Sequence, residues 1–119
     1  MLNQKQAETK AKIELLAGMF DIDPSWAVAI AMTESSLGEA QLSPTGCKGV
    51  FQMSTIAMKD LLISMQEIDD DLVDITCGIA FLRLLLNRHK TMEQATKHYC
   101  DPDDRGFYWD RVRHFMGEL

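Results

Sequence analysis

The sequence predicts one compact all-α domain over residues 1–119, and three observations carry that prediction. Apolar residues recur at steps of three and four along most of the chain, which is the spacing of one helix face. No stretch alternates apolar and polar residues as a half-buried strand would. The apolar fraction of 46% and the charged fraction of 25% are typical of a globular protein, and the length suits a single hydrophobic core.

The first two helices are predicted from their start signals and their apolar pattern. Gln4–Met19 is an amphipathic segment with Gly18 close to its end. Asp23 and Pro24 open the second helix, because aspartate caps unpaired N–H groups and proline fits the first turn. The sequence that follows, SWAVAIAMTE, is apolar on nearly every side, which predicts a buried central helix.

A loop and two further helices come next. Pro44, Gly46 and Gly49 predict the loop, and a third helix is expected over residues 55–65. Aspartates at positions 69–71 mark the start of the fourth helix, where the helix dipole favours negative charge. The apolar stripe of this fourth helix consists of Leu72, Ile75, Ile79, Leu82 and Leu86.

Two shorter helices complete the predicted fold. Thr91 and Gln94 have the spacing of a capping box, which opens a fifth helix. Asp103 or Asp104 is expected to start a last helix that runs through Phe115.

Glu34 lies at the end of the predicted central helix. It comes one turn after Ile30 and two turns after Trp26, and so it shares a side of the helix with them. Because partial burial disfavours the charged form of a carboxyl group, we expect the pKa of Glu34 to be raised. A raised pKa keeps a glutamic acid protonated near neutral pH, as general-acid catalysis requires.

The loop after Glu34 has the features of a ligand-binding loop. Gly46 and Gly49 allow a positive φ or a close approach of the backbone to a ligand. Gln52 offers an amide donor and acceptor that suit sugar hydroxyl and acetamido groups. Each feature alone also has a structural explanation: a solvated charge for Glu34, turns for the two glycines and a surface side chain for Gln52.

The spacing of these residues is more specific than the residues themselves. It resembles the motif of the lytic transglycosylases of the goose-type lysozyme superfamily, which has a Glu-Ser pair, a serine nine residues after the glutamate, and G-x-x-G-x-x-Q. The matching positions are Glu34 and Ser35, Ser43 and Pro44, Gly46, Gly49, and Gln52 and Met53. Later blocks agree in order: Asp74, Ile75, Gly78, Phe81 and Leu82, then residues 95–99, then Tyr108 and Val112. The resemblance covers residues 24–112.

The resemblance implies a lysozyme-like helical domain with a substrate cleft and no metal or cofactor. The implied substrate is peptidoglycan, cut between N-acetylmuramic acid and N-acetylglucosamine with a 1,6-anhydro product. Glu34 matches the catalytic glutamate, which acts first as acid and then as base. The positions implied for substrate binding are Ser43, Gln52, Ser54 and Tyr99.

Four positions of the later blocks depart from the motif. Cys100 stands where the family carries an asparagine, and Asp101 and Pro102 replace the following Ala-Gly. Phe81 replaces a tyrosine and so lacks its hydroxyl. The local turn after Tyr99 is therefore expected to differ from that of the family.

The carboxylates near the motif separate transglycosylation from hydrolysis. A hydrolysing glycosidase usually needs a second carboxylate, and goose-type lysozymes carry an aspartate at the position of Ser54. Residues 42–50 contain no carboxylate, and Glu39 and Asp60 are the nearest other candidates. The sequence therefore favours a transglycosylase. The alternatives are a hydrolysing muramidase and a non-catalytic domain that binds glycan or has a structural role in an assembly.

Charge and composition exclude some classes of partner and leave delivery open. The net charge of −6 argues against nucleic acid binding, and no apolar run is long enough for a membrane span. No signal peptide is visible, so delivery to the periplasm or cell wall is expected by a phage particle, a secretion assembly or a larger protein, unless a signal has been removed from the chain. All three cysteines are expected to be free thiols. Zinc and calcium sites are disfavoured, since the histidines and the aspartates after position 100 lack the required ligand spacing.

Overall fold

The computed structural model of the protein describes residues 2–40, 46–63, 70–99 and 106–119. Within these ranges the chain forms helices and no strand, which confirms the predicted all-α fold. The helices are α1 (Gln4–Met19), α2 (Pro24–Ser35), α3 (Thr55–Asp60), α4 (Asp71–His89), α5 (Met92–Tyr99) and α6 (Phe107–Glu118). No helix in the described part of the chain has both the length and the apolar character to cross a bilayer.

Helix α2 forms the centre of the core, as its apolar sequence predicts. Residues 26–31 are each at most 1% exposed. Helices α1 and α6 pack against α2, and α4 packs against α1 and α5. The indole N–H of Trp26 donates to the buried hydroxyl of Thr96 at 2.8 Å, so α5 is linked directly to the central helix.

Three of the predicted helix starts coincide with caps in the structure. Asp23 accepts the N–H of Ser25 at 2.9 Å, and Asp70 accepts the first backbone N–H groups of α4. The hydroxyl of Thr91 accepts the N–H of Gln94 at 3.1 Å. The start expected at residue 103 or 104 lies outside the described residues, and α6 follows Gly106.

The third helix is shorter than expected, and the fourth has a more exposed first turn. The prediction of a helix over residues 55–65 is wrong at its end, because α3 stops at Asp60 and Leu62 adopts a positive φ of 59°. The N–H of Ile63 then closes the end by donating to the carbonyl of Met58 at 3.1 Å. In α4 the middle of the predicted stripe is buried, whereas Leu72 is 63% exposed.

Residues 48–53, before α3, form a tight turn of backbone that supports the candidate site. Lys48 and Met53 pair as an antiparallel bridge, with N–H···O distances of 3.0 and 2.8 Å. Gly46 and Gly49 have φ values of 82° and 90°, which favour glycine at both positions. We call residues 49–53, inside this bridge, the cleft loop.

Candidate active site

A cavity of about 220 Å³ lies between the end of α2, the cleft loop, α3, α4 and the end of α5. Its lining residues are Glu34, Cys47, Gln52, Met53, Ser54, Ala57, Phe81 and Tyr99. The structure thus brings together four of the site residues that the sequence predicts, Glu34, Gln52, Ser54 and Tyr99. The fifth, Ser43, lies outside the described residues.

Glu34 is partly buried at the wall of this cavity. Its Oε2 accepts a hydrogen bond from the phenol of Tyr108 on α6. Burial raises the pKa of Glu34, while the hydrogen bond from Tyr108 and the positive charge of Arg111 act in the opposite direction. The shift has the direction that a general acid needs, and its main cause is the predicted loss of solvation.

Tyr108 is the contact to Glu34 that the sequence does not single out. The resemblance includes the position of Tyr108 and does not imply whether its ring packs against the helices or contacts a sugar. The structure places it on the packed face, where it is 7% exposed with its hydroxyl on Glu34. Val112, one turn later on α6, is fully buried. The one-turn spacing of Tyr108 and Val112 was therefore the sequence signal that both residues lie on a buried face of α6.

Ser35, the residue after Glu34, connects α2 to the cleft loop. Its side chain is buried, and its hydroxyl accepts the N–H of Gly38 at 2.9 Å. The same hydroxyl donates to the carbonyl of Val50 at 2.5 Å. The backbone that carries Glu34 is therefore joined to the loop that forms another part of the cavity wall.

Asp74 contacts the cleft loop from the other side. It is 3% exposed, and both of its carboxylate oxygens accept the N–H of Val50 at 3.1 Å. Burial raises the pKa of Asp74 to about 6, although the hydrogen bond from Val50 opposes this. The resemblance includes Asp74 as a motif position and implies no role for it.

Tyr99 and Gln52 both contact the backbone of the cleft loop. The phenol of Tyr99 donates to the carbonyl of Phe51, and its ring lies 5.8 Å from that of Phe81, measured between centroids. The side-chain amide of Gln52 donates to the carbonyl of Gly49 at 2.8 Å. Tyr99 and Gln52 therefore also have a role in shaping the loop.

Ser54 directly follows the cleft loop and is the N-cap of α3. Its γ-oxygen accepts the N–H of Ala57 at 3.1 Å, which is the contact of an N-cap. Ser54 therefore lines the cavity and fixes the start of a helix at the same time.

Phe51 packs against α4 at a position where only glycine fits. A Cβ atom on Gly78 would lie 2.2 Å from a ring carbon of Phe51, far inside van der Waals contact. The ring is fully buried. The match of Gly78 to the family motif thus has a packing reason, since the missing side chain lets the cleft loop approach α4.

The two alternative carboxylates do not reach the cavity. Glu39 accepts a hydrogen bond from the side chain of Asn3 at 3.2 Å, and Asp60 pairs with Arg88 at 3.2 Å. Among the residues that the structure describes, Glu34 is the only carboxylate in the cavity lining.

The described ranges contain no group of three or more metal-ligating side chains. The rings of His89 and His98 stack with centroids 3.7 Å apart. Cys47 and Cys77 are reduced, and Cys77 is buried. Cys100 and the aspartates after it, which include the calcium-like positions, lie outside the described residues.

The comparisons with known proteins give one match. A family model described as a transglycosylase SLT domain matches residues 12–100, which include α2 to α5, the cleft loop and all the described cavity residues. No curated protein and no solved structure matches the chain. The family matched is one of lytic-transglycosylase-like domains that degrade peptidoglycan. Because the model spans well over half of the chain, the protein belongs to the transglycosylase SLT domain family.

Proposed function

We propose that this protein is a lytic transglycosylase that cleaves the β-1,4 bond between N-acetylmuramic acid and N-acetylglucosamine, with Glu34 as its catalytic residue. Membership of the family supports peptidoglycan as the substrate, at the cell wall or in the periplasm. One observation carries the assignment of Glu34: a partly buried carboxyl group with a raised pKa lies in the cavity wall.

The reaction uses Glu34 twice. The carboxylic acid first gives its proton to the glycosidic oxygen as the bond from C1 of muramic acid to that oxygen breaks. The resulting carboxylate then takes the proton of the 6-hydroxyl while O6 forms a bond to C1. This closes the 1,6-anhydro ring, returns Glu34 to its acid form and consumes no water.

The absence of a second carboxylate from the described cavity lining favours ring closure over hydrolysis. A hydrolysing glycosidase needs a group that activates water or acts as nucleophile. The 6-hydroxyl already belongs to the sugar under attack, so it has the advantage of proximity without such a group.

Gln52, Ser54 and Tyr99 are proposed to contact the glycan from the cleft loop and the end of α5, together with Ser43. Their own contacts to the protein backbone fix their positions before a glycan arrives. Delivery by a phage particle, a secretion assembly or a larger protein stays a prediction that rests on the net charge of −6.

The test is mass spectrometry of muropeptides released from purified sacculi. We expect products that end in 1,6-anhydro-N-acetylmuramic acid, which are one water lighter than hydrolysed ends. Glu34→Gln should lower the rate by at least about a hundredfold, because the amide has the same shape and cannot donate the proton. Glu39→Gln is the matched control, since Glu39 contacts Asn3 outside the cavity, and it should be as active as the wild type.

Each other outcome points to a different function. Reducing N-acetylmuramic acid ends from the wild type would favour the muramidase. Binding to sacculi without any product would favour a non-catalytic glycan-binding domain. Wild-type activity in a folded Glu34→Gln variant would remove Glu34 from catalysis.

A further inference from the structure

The backbone of Val50 is hydrogen-bonded on both sides by buried side chains. Its N–H donates to the carboxylate of Asp74 on α4, and its carbonyl accepts from the hydroxyl of Ser35 on α2. Ser35 directly follows Glu34 in the chain. The carboxylate of Asp74 is therefore connected, through one residue of the cleft loop, to the end of α2 that carries the candidate acid.

The negative charge of Asp74 makes its hydrogen bond to Val50 stronger than that of a neutral side chain in the same place. An asparagine could accept the same N–H through its amide oxygen, and it would stay neutral at every pH. A carboxylate accepts a charge-assisted hydrogen bond, which is roughly twice as strong as a neutral one. The strength of the contact to Val50 therefore depends on whether the carboxyl group is ionised.

We propose that Asp74 is a positioning residue whose ionised carboxylate fixes the cleft loop against α4, and whose protonation loosens the loop and the cavity wall that it forms. Gln52 lies in this loop and lines the cavity, and the carbonyl of Phe51 accepts from Tyr99. Loss of the contact at Val50 thus alters the part of the cavity wall that the cleft loop forms. The consequence for activity rests on the function proposed above, whereas the consequence for the loop does not.

The surroundings of Asp74 place this change within the range of physiological pH. Burial raises the pKa of Asp74 to about 6, against the effect of its hydrogen bond from Val50. Within the described part of the chain two charged side chains act on it: Asp71, on the same helix, raises the pKa, and Lys48, from the segment before the cleft loop, lowers it. Asp74 is therefore mainly ionised above about pH 6 and mainly protonated below it.

The structural test is a pH titration followed by NMR of the labelled protein from about pH 4.5 to pH 8. The amide proton of Val50 should shift with a midpoint near pH 6, and the carboxyl carbon of Asp74 should titrate with the same midpoint. Asp74→Asn should abolish the step at Val50. Asp71→Asn is the matched control, because it removes a neighbouring charge and leaves the contact intact. In Asp71→Asn the pH-dependent shift of the Val50 amide should persist with its midpoint at a lower pH, since Asp71 raises the pKa of Asp74.

Two results would overturn the proposal: an amide of Val50 that stays constant while Asp74 titrates, or a step that persists unchanged in Asp74→Asn. The wild-type titration decides the first point even if the variant does not fold.

The activity test measures kcat/KM on solubilised glycan strands over the same pH range. For the wild type we expect a loss of about three- to tenfold between pH 7 and pH 5, because the wall of the cavity loosens as Asp74 is protonated. The loss should be absent from Asp74→Asn and present in Asp71→Asn. An equal acidic loss in all three proteins would overturn the role of Asp74 in activity.

The two tests separate this inference from the proposed function. If the amide of Val50 shifts with pH in a protein that cleaves no peptidoglycan at any pH, the positioning role of Asp74 is retained and the transglycosylase function is rejected. If the protein cleaves peptidoglycan and the amide of Val50 does not shift with pH, the transglycosylase function is retained and the positioning role is rejected.

Discussion

Tyr108 donates a hydrogen bond from its phenol to Oε2 of Glu34, and thereby joins the first turn of α6 to the last turn of α2. The donor is neutral, so it favours the carboxylate form of Glu34 without adding a charge to the cavity. Burial favours the acid form and is the larger effect. A group that must first give and then take a proton benefits from such opposed effects, because neither form is strongly preferred.

Tyr108→Phe should lower kcat about ten- to hundredfold, which corresponds to one lost hydrogen bond to a charged group. The donor lowers the pKa of Glu34, so its removal raises that pKa further. Activity that needs the acid form is lost as the pH rises through this pKa, and the alkaline limb of the pH–rate profile should therefore move to higher pH. Tyr99→Phe is the matched control: it removes a phenol that contacts Phe51, and its alkaline limb should stay in place. If the alkaline limb of the Tyr108→Phe profile stays at the same pH or moves to a lower pH, this interpretation is contradicted.

Ser54→Asp should introduce hydrolysis without disturbing the fold. Aspartate is as good an N-cap as serine, so α3 keeps its start, and the new carboxylate enters the cavity lining. We expect part of the product to change from 1,6-anhydro ends to reducing ends, as measured by mass spectrometry of the muropeptides. Ser54→Asn supplies a cap of the same size without the charge. Equal product ratios in the two variants would show that this position does not activate water.

Gly78→Ala should destabilise the protein by about 1–3 kcal/mol, the usual effect of overpacking a core. The added methyl group would overlap the ring of Phe51, which can move only if the cleft loop moves with it. Thermal unfolding and peptidoglycan clearing should therefore both be impaired. Gly18→Ala in α1 is the control, because a Cβ at Gly18 meets no atom within 4 Å. A Gly78→Ala variant with wild-type stability would show that the ring can rearrange without the loop.

Alkylation of Cys47 should block the cavity. Cys47 lines the cavity and is partly exposed, whereas Cys77 is 2% exposed in the core. In a Cys100→Ser background, iodoacetamide should modify one thiol of the folded protein, identified by peptide mass spectrometry, and activity should fall in proportion. Cys47→Ser in the same background should be active and resistant to the reagent. Full activity after complete modification of Cys47 would place the glycan elsewhere.

The helices could be predicted from the sequence more completely than the contacts of the site. The bounds of α1 follow from periodicity, and the starts of α2 and α4 follow from side-chain caps, because these signals are local. The early end of α3 could not be predicted, since Leu62 adopts a positive φ that its residue type does not favour. The raised pKa of Glu34 was predictable because its main cause is burial, which the apolar sequence before Glu34 indicates.

Contacts between distant segments were beyond the sequence. Tyr108 is separated from Glu34 by 74 residues and Asp74 from Val50 by 24, and no periodicity relates such positions. The motif placed Asp74 and Gly78 in the same block but did not say what each touches. The structure gives the common reason, since both contact the cleft loop, one through a hydrogen bond to Val50 and the other through the ring of Phe51.

The cleft loop has contacts to three helices within two of its residues. Val50 contacts α2 through Ser35 and α4 through Asp74, and Phe51 contacts α5 through Tyr99. While Asp74 is ionised, this segment opens only when all three contacts break together. Hydrogen exchange at the amide of Val50 should then require cooperative unfolding of the whole domain, and the wall of the cavity should melt together with the hydrophobic core.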